Sequence, residues 1–442
     1  MGLPAVRVGA PMIGQSAGDH GRRVFMAGLF DLRNYGDLLF PLLADRRLAQ
    51  YGYRIQPVTP AGGSCGWADT TPCIALEGLF AEEGQPAGVL IGGGNIVYGG
   101  VRGNHLLPNS PETADRGELA AWGPPGLWLG PALAAAVHDV PILWNAPGLP
   151  HPLAGHWRSL LGSALDASDY VSVREEMSRS LALETSSRAD IRVVPDSAAE
   201  LARLWPKAGL AAVYRTLLER KGARPDVRIW AIHLRDRSLG EHSLAELARE
   251  IDRIAARTGL TPALVAIGPG LGDATMVREL NDRLTVSALP LDDPAGPREI
   301  AALISHAHLY VGASLHGYIT AAAYGVPGLL VARPRHRKFS GFVSQIGRSG
   351  DLKGDWCAAL DAVPPALAEG PSARIPDEVH ARLDRHWAAI AAALSNPARS
   401  RAARAAFLRT VVRLGLRTPF GPAWLLSPML RSRAHQRPGA SA

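Results

Sequence analysis

The feature that most restricts this fold is an alternation that runs through the chain twice. Short apolar runs are separated by longer stretches with helical spacing. Residues 24–29 (Val-Phe-Met-Ala-Gly-Leu) read as a first buried strand. Leu38, Leu39, Leu42, Leu43, Leu48 and Tyr51 then read as one helix face, with Asp37 as its N-cap and Gly52 as its stop. Further strands are expected at 53–58, 88–91, 141–145, 170–173 and 191–194. A second series follows, with strands expected at 227–233, 263–267, 285–288, 309–312 and 328–331, and an amphipathic helix over 244–258 ended by Gly259. A βαβ rhythm of this kind gives a parallel sheet covered on both faces by helices. The expected fold is α/β, with two Rossmann-like doubly wound lobes facing a cleft.

The 442-residue length supports two cores rather than one. The expected division is a flexible tail over 1–22, an N-terminal lobe over 23–205, a linker helix over 206–225 and a C-terminal lobe over 226–365. A C-terminal helix over 366–397 and a basic amphipathic tail over 398–442 complete it. Three sparse cysteines, Cys65, Cys73 and Cys357, suggest reduced thiols and a cytoplasmic setting rather than a disulfide framework. The most apolar stretch, residues 128–144, is interrupted by His138, Asp139 and two prolines, so no membrane span is expected. Net charge is +7, but nine arginines and no Asp or Glu fall after Pro397, which leaves the rest of the chain at −2. The body is therefore not a nucleic-acid-binding domain. The tail interleaves its arginines with Phe407, Leu408, Val411, Val412, Leu414 and Leu416. That pattern suits a peripheral contact with an anionic membrane surface, or a disordered basic tail, or a protein contact.

Ligands of doubly wound sheets lie beyond the carboxyl ends of the strands, so the strand-to-helix turns carry the information. The first turn is Asn34-Tyr35-Gly36-Asp37. The second is Gly92-Gly93-Gly94-Asn95, which is neither a dinucleotide fingerprint nor a P-loop. A third segment places Arg174 at a strand exit, where a guanidinium can hold a carboxylate or phosphate with two parallel bonds. The fourth, Ser314-Leu315-His316-Gly317, opens a helix of small residues that ends in Gly325-Val326-Pro327. His316 sits where free N–H groups and a helix dipole favour an anion. His306 and His308 read as structural rather than as metal ligands.

These segments, together with Ser172-Val173-Arg174-Glu175, Ser178, Pro195-Asp196 and Arg337-Lys338-Phe339, occur in an order that resembles the polysaccharide pyruvyl transferase family. The resemblance runs from about residue 24 to about residue 347. It implies a GT-B-like fold and transfer of the enolpyruvyl unit of phosphoenolpyruvate onto two hydroxyls of one sugar, giving a cyclic pyruvate ketal and phosphate. It implies a sugar or lipid-linked oligosaccharide acceptor and no metal or organic cofactor. Carried onto this chain, it makes His316 the acid/base residue. Arg174, Ser314, Leu315, Gly317, Arg333 and Lys338 fall on the donor side, in the C-terminal lobe and facing it. Asn34, Asp37, Gly93, Gly94 and Asn95 fall on the acceptor side, in the N-terminal lobe. The chain departs from the family at Ser314, where arginine is usual. Two other readings remain open: a nucleotide-sugar glycosyltransferase of the same fold, and a non-catalytic glycan-binding protein.

Overall fold

The computed structural model describes residues 22–80, 86–99 and 125–415. The N-terminal lobe is built on a sheet of β1 (Arg22–Ala27), β2 (Tyr53–Thr59), β3 (Ala61–Gly63), β4 (Cys73–Ala75), β5 (Gly88–Ile91) and β6 (Ile142–Trp144). Their order is β3-β4-β2-β1-β5-β6, parallel except for the β3–β4 pair. A bridge from Leu143 to Tyr170 leads on to the parallel pair β7 (Ser172–Val173) and β8 (Arg192–Val193). The main helices of this lobe are α1 (Tyr35–Ala49), α2 (Gly126–His138), α3 (Gly155–Asp166) and α4 (Glu176–Leu183); α5 (Lys207–Arg220) leads out of it.

The C-terminal sheet comprises β9 (Ile229–His233), β10 (Thr261–Val265), β11 (Leu289–Leu291), β12 (Tyr310–Gly312), β13 (Gly328–Val331) and β14 (Leu352–Lys353). It is wholly parallel in the order β11-β10-β9-β12-β13-β14. Chain direction across the sheet reverses between β9 and β12, the point where such sheets bind ligands. Around it lie α6 (Leu244–Thr258), α7 (Asp273–Asn281), α8 (Pro297–His306), α9 (Leu315–Ala323) and α10 (Arg337–Gln345). The start and stop of α6 follow from its ends. Ser243 and Glu246 form a reciprocal capping box, and Gly259 closes the helix in the left-handed conformation at φ 65°.

One apolar cluster crosses from lobe to lobe. It runs from Val24 and Leu39 through Tyr35 to Ile267, Ile300, Tyr318 and Ile319. After the second lobe, α11 (Asp377–Leu394) returns to the first. There His386 bonds Tyr170 through Nδ1 (2.7 Å) and Asn145 through Nε2 (2.9 Å), and Trp387 donates to Glu200 (2.9 Å). Burial pushes the His386 imidazole down to about 3, with Arg192 and Arg47 adding to the effect, so it bridges these partners as the neutral ring.

Three local expectations need correcting. Helix α1 begins at Tyr35 behind Asn34, so Asp37 lies in the first turn and is not the cap. The strand expected at 285–288 lies instead at Leu289–Leu291, because the N–H groups of Thr285 and Val286 bond the Asp252 carboxylate. The basic tail is not a free amphipathic segment along α12 (Arg401–Gly415), because its apolar side faces the protein. Phe407 and Val411 are buried in the N-lobe cluster with α2 and α3. Arg404, also buried, pairs with Asp139 (2.9 Å) and Asp169 (3.0 Å). Residues 416–442 lie outside the described residues. Among the described residues no helix is long and apolar enough to cross a membrane.

Candidate active site

The cleft is bounded by two helix starts, one from each lobe. On the N-lobe side α1 is docked directly onto the other lobe. Tyr35 donates its N–H to the Ile267 carbonyl (2.9 Å), and its phenol meets the Thr320 hydroxyl (2.7 Å). Thr320 gives its own proton to the His316 carbonyl (2.7 Å), so Tyr35 is the donor in that pair. Gly36 is needed for this approach. A Cβ there would lie 1.8 Å from His316 Nδ1, a distance no side chain tolerates. Asn34 donates to Asp37 (2.6 Å), and the Asp37 carboxylate lies close to Gly94, whose φ of 88° suits glycine.

On the C-lobe side Ser314 caps α9, accepting from the Gly317 N–H (3.3 Å). The physical role of this serine is to start the helix. Leu315 is buried in the core, and the Gly317 N–H is already bonded. Ser314, Leu315 and Gly317 therefore build the turn, and the N–H groups of Leu315 and His316 are those left without an intrahelical carbonyl. The His316 ring stands edge-on to Phe40, at 5.5 Å between centroids. Its Nε2 faces the Asp196 carboxylate at 3.4 Å, an ion-pair distance rather than a formed hydrogen bond. Asp196 follows β8 and also accepts from the Ala198 N–H (3.0 Å).

The two carboxylates beside His316 are driven in opposite directions. Burial raises Asp37 above the ordinary carboxylate range, only partly opposed by His316 and Lys338. Burial acts the same way on Asp196, but the charge of His316, with Arg174 and the Ala198 N–H, outweighs it and holds Asp196 low. A site that separates two carboxylates in this way has one group able to hold a proton beside one that stays ionised.

Arg174 is buried and held from several sides. Its Nε pairs with Glu175 (3.0 Å), its Nη2 donates to the Asn95 side chain, and its carbonyl accepts from Gln345 of α10 (2.8 Å). Ser178 donates to the other oxygen of Glu175 and accepts from the Leu149 N–H (2.8 Å). Gly148 packs so close to Asn95 and Arg174 that a Cβ would clash with both. Gly93 packs on the Phe40 ring and supports the wall without facing the cleft.

Lys338, in the first turn of α10, is half-buried in the same cleft. Burial, then Arg174, Arg235 and Arg237, push its ammonium down to about 7, against a smaller opposing pull from Asp37. Burial, then Lys338 and the same three arginines, push His336 down to about 4. The field here is positive enough to disfavour further positive charge, and an anion would relieve it. The structure thus brings together Asn34, Asp37, Gly94, Asn95, Arg174, His316 and Lys338. Arg333 lies against Gly240, at the end of the short turn that carries Arg235 and Arg237. Among the described residues no group of three or more His, Cys, Asp or Glu is placed to hold a metal ion.

Residues missed from sequence reasoning are Asp196, Arg235 and Arg237. Pro195-Asp196 was visible as a motif but had no role until the fold put it against His316. Arg235 and Arg237 follow β9, the central strand, whose carboxyl end is where the doubly wound rule points.

The model of the polysaccharide pyruvyl transferase family matches residues 34–334. This chain belongs to that family. The match spans every element that builds the cleft except α10, which supplies Lys338. No curated protein matches the sequence. Among solved structures, the UDP-GlcNAc 2-epimerase from Methanocaldococcus jannaschii is similar over 82% of this chain and 98% of its own, at 14% identity and a TM-score of 0.52. The UDP-GlcNAc 2-epimerase from Neisseria meningitidis bound to UDP-GlcNAc is similar over 88% and 99%, at 13% identity and a TM-score of 0.50. At such identities the likeness establishes the two-lobed fold. The family match supports an enzyme of the pyruvyl transferase type.

Proposed function

We propose that this protein transfers the enolpyruvyl unit of phosphoenolpyruvate onto two hydroxyls of a sugar in an exopolysaccharide or cell-wall glycan precursor. The carrying observation is the positive cleft that holds Lys338 near neutrality, bounded by Arg174, Arg235 and Arg237 and opening on His316. A donor with a phosphate and a carboxylate on adjacent atoms matches that field. His316, backed by Asp196 at 3.4 Å, is the acid/base group, since its ring stands at the head of α9 between the two lobes. Arg174 holds a donor anion, and its network fixes it there before the donor arrives.

The chemistry balances without a cofactor. A proton adds to the donor methylene and makes C2 electrophilic. One sugar hydroxyl attacks C2 and gives up its proton. The second hydroxyl displaces phosphate, so the C–O bond to phosphate breaks as the ring closes. One hydroxyl proton ends on the new methyl group and the other on phosphate. Asp37 lies beside the acceptor approach from α1, where its raised carboxyl can hydrogen-bond a hydroxyl.

A second reading is favoured by one observation, the likeness in fold to two UDP-GlcNAc 2-epimerases. In that reading the same positive cleft takes the diphosphate of a nucleotide sugar. Thermal unfolding separates the two. A ligand at 100 times its Kd stabilises the folded state by about 2.7 kcal/mol. Phosphoenolpyruvate should raise Tm and UDP-sugars should not; the reverse result replaces the proposed donor with a nucleotide sugar.

A further inference from the structure

The turn Ser314–Gly317 has no arginine or lysine, yet it sits at the reversal point of the C-terminal sheet. The neighbouring strand supplies one. β9 and β12 are parallel neighbours with His233 beside Gly312, and the Ala313 N–H bonds the His233 carbonyl (3.1 Å). Two residues further along each chain, Arg235 comes beside Ser314. The Tyr310 phenol bonds the Ser314 carbonyl (3.2 Å) and feels the charge of Arg235.

Arg235 is aimed by a buried assembly beneath it. Its Nε pairs with Asp273 Oδ1 at 3.2 Å, on a carboxylate that is itself almost wholly buried. The other oxygen, Oδ2, meets His233 Nε2 (2.9 Å) and accepts from the Gly268 N–H (2.6 Å). His233, Asp273 and Gly268 therefore belong to β9, the start of α7 and the turn after β10, three neighbouring parts of one sheet edge. The ion pair uses Nε, and neither Nη nitrogen of Arg235 bonds a described residue. Nη2 lies beside Gly268, at the turn after β10, and the Arg235 charge is felt by Lys338 and His336.

We propose that Arg235 is an anion-binding residue for the donor, supplying from β9 the cation that the Ser314 turn lacks, and that Asp273 is its positioning residue. A carboxylate 3.2 Å from Nε holds the guanidinium by charge and leaves the two Nη groups as a fork for phosphate or carboxylate. The inference rests on the donor reading for the identity of the anion, but not for its charge.

Isothermal titration of the full-length protein with inorganic phosphate, phosphoenolpyruvate and UDP-GlcNAc tests it, on wild type, Arg235→Gln, Arg235→Lys and Asp273→Asn. A charge-assisted contact corresponds to a loss of about 10- to 150-fold in affinity. Arg235→Gln should weaken phosphoenolpyruvate by that factor and Arg235→Lys should recover part of it. Asp273→Asn should raise KM for the donor while kcat changes less. The far-UV circular dichroism of Arg235→Gln, a partly exposed position, should match wild type, while its melting temperature falls because the buried Asp273 carboxylate loses a cation. If wild type binds phosphoenolpyruvate and Arg235→Gln binds it equally well, the inference is overturned and the donor reading stands. If wild type instead binds UDP-GlcNAc and loses it with Arg235→Gln, the donor reading falls and the role of Arg235 stands. If wild type binds none of the three at millimolar concentration, the inference is overturned.

Discussion

Two helices begin at the cleft, one from each lobe, and they use their first turns differently. α1 turns its start outward: Tyr35 is bonded into the opposite lobe, Gly36 lies under the imidazole, and Asp37 is left uncapped and driven toward its neutral form. α9 turns its start inward: Ser314 satisfies the Gly317 N–H, so the turn is self-sufficient and His316 projects from a completed cap. The difference teaches that similar-looking turns, polar and glycine-bearing at the head of a helix, can be a clasp in one lobe and a chemical platform in the other. The clasp positions the platform, since Tyr35 and Thr320 end on the carbonyl of His316.

If that division is right, the largest effect comes from the platform's side chain. His316→Ala should lower turnover by about 10²- to 10⁴-fold with the fold retained, measured by steady-state kinetics alongside circular dichroism. The next comes from the clasp acting on the platform. Gly36→Ala places a methyl group where the imidazole now stands, and a shift of about 1 Å in a reacting group can cost roughly 10²-fold in rate. A Gly36→Ala enzyme with normal kcat would show that α1 does not set the ring's position.

Smaller effects should appear in stability alone. Tyr35→Phe removes a buried donor between the lobes and should cost about 1–2 kcal/mol in denaturant melts. Ser314→Ala removes only the cap, at about 1 kcal/mol, and should leave KM for the donor nearly unchanged. A clear rise in KM would mean that Ser314 touches the donor and is not only a cap.

Asp37 should move stability the other way. Its folded-state pKa is raised, so its ionised form costs folding free energy at neutral pH, and that cost disappears as pH falls through the folded value. Asp37→Asn should therefore raise Tm slightly at pH 7, with the gain shrinking in acid, while activity drops. Asp196 has the opposite sign. Its depressed pKa contributes stability above the ordinary aspartate pKa, which is lost only as pH falls through the lower folded value. Asp196→Asn should lower Tm at pH 7.

The two lobes were legible because buried parallel strands leave continuous apolar runs, and α6 because its capping box and terminal glycine are local. The motif turns around Asn34, Gly94, Arg174 and His316 were legible as turns. What they do to one another was not, because their partners lie far off in sequence: Tyr35 meets Thr320, and Asp196 meets His316. The 285–288 run looked like a strand by composition, but Asp252 claims its N–H groups from another helix. The pairing of Arg401 and Arg404 was not legible because Asp139 and Asp169, more than 200 residues earlier, are invisible to any local pattern.

The most direct test of the central claim is phosphate release from phosphoenolpyruvate in the presence of free and lipid-linked glycan acceptors, with the ketal product read by nuclear magnetic resonance. The cleft described here predicts acceptor-dependent release by wild type, a pyruvate ketal methyl signal in the product, and loss of both with His316→Ala. Release that continues undiminished in His316→Ala, or turnover only with a nucleotide sugar, would contradict it.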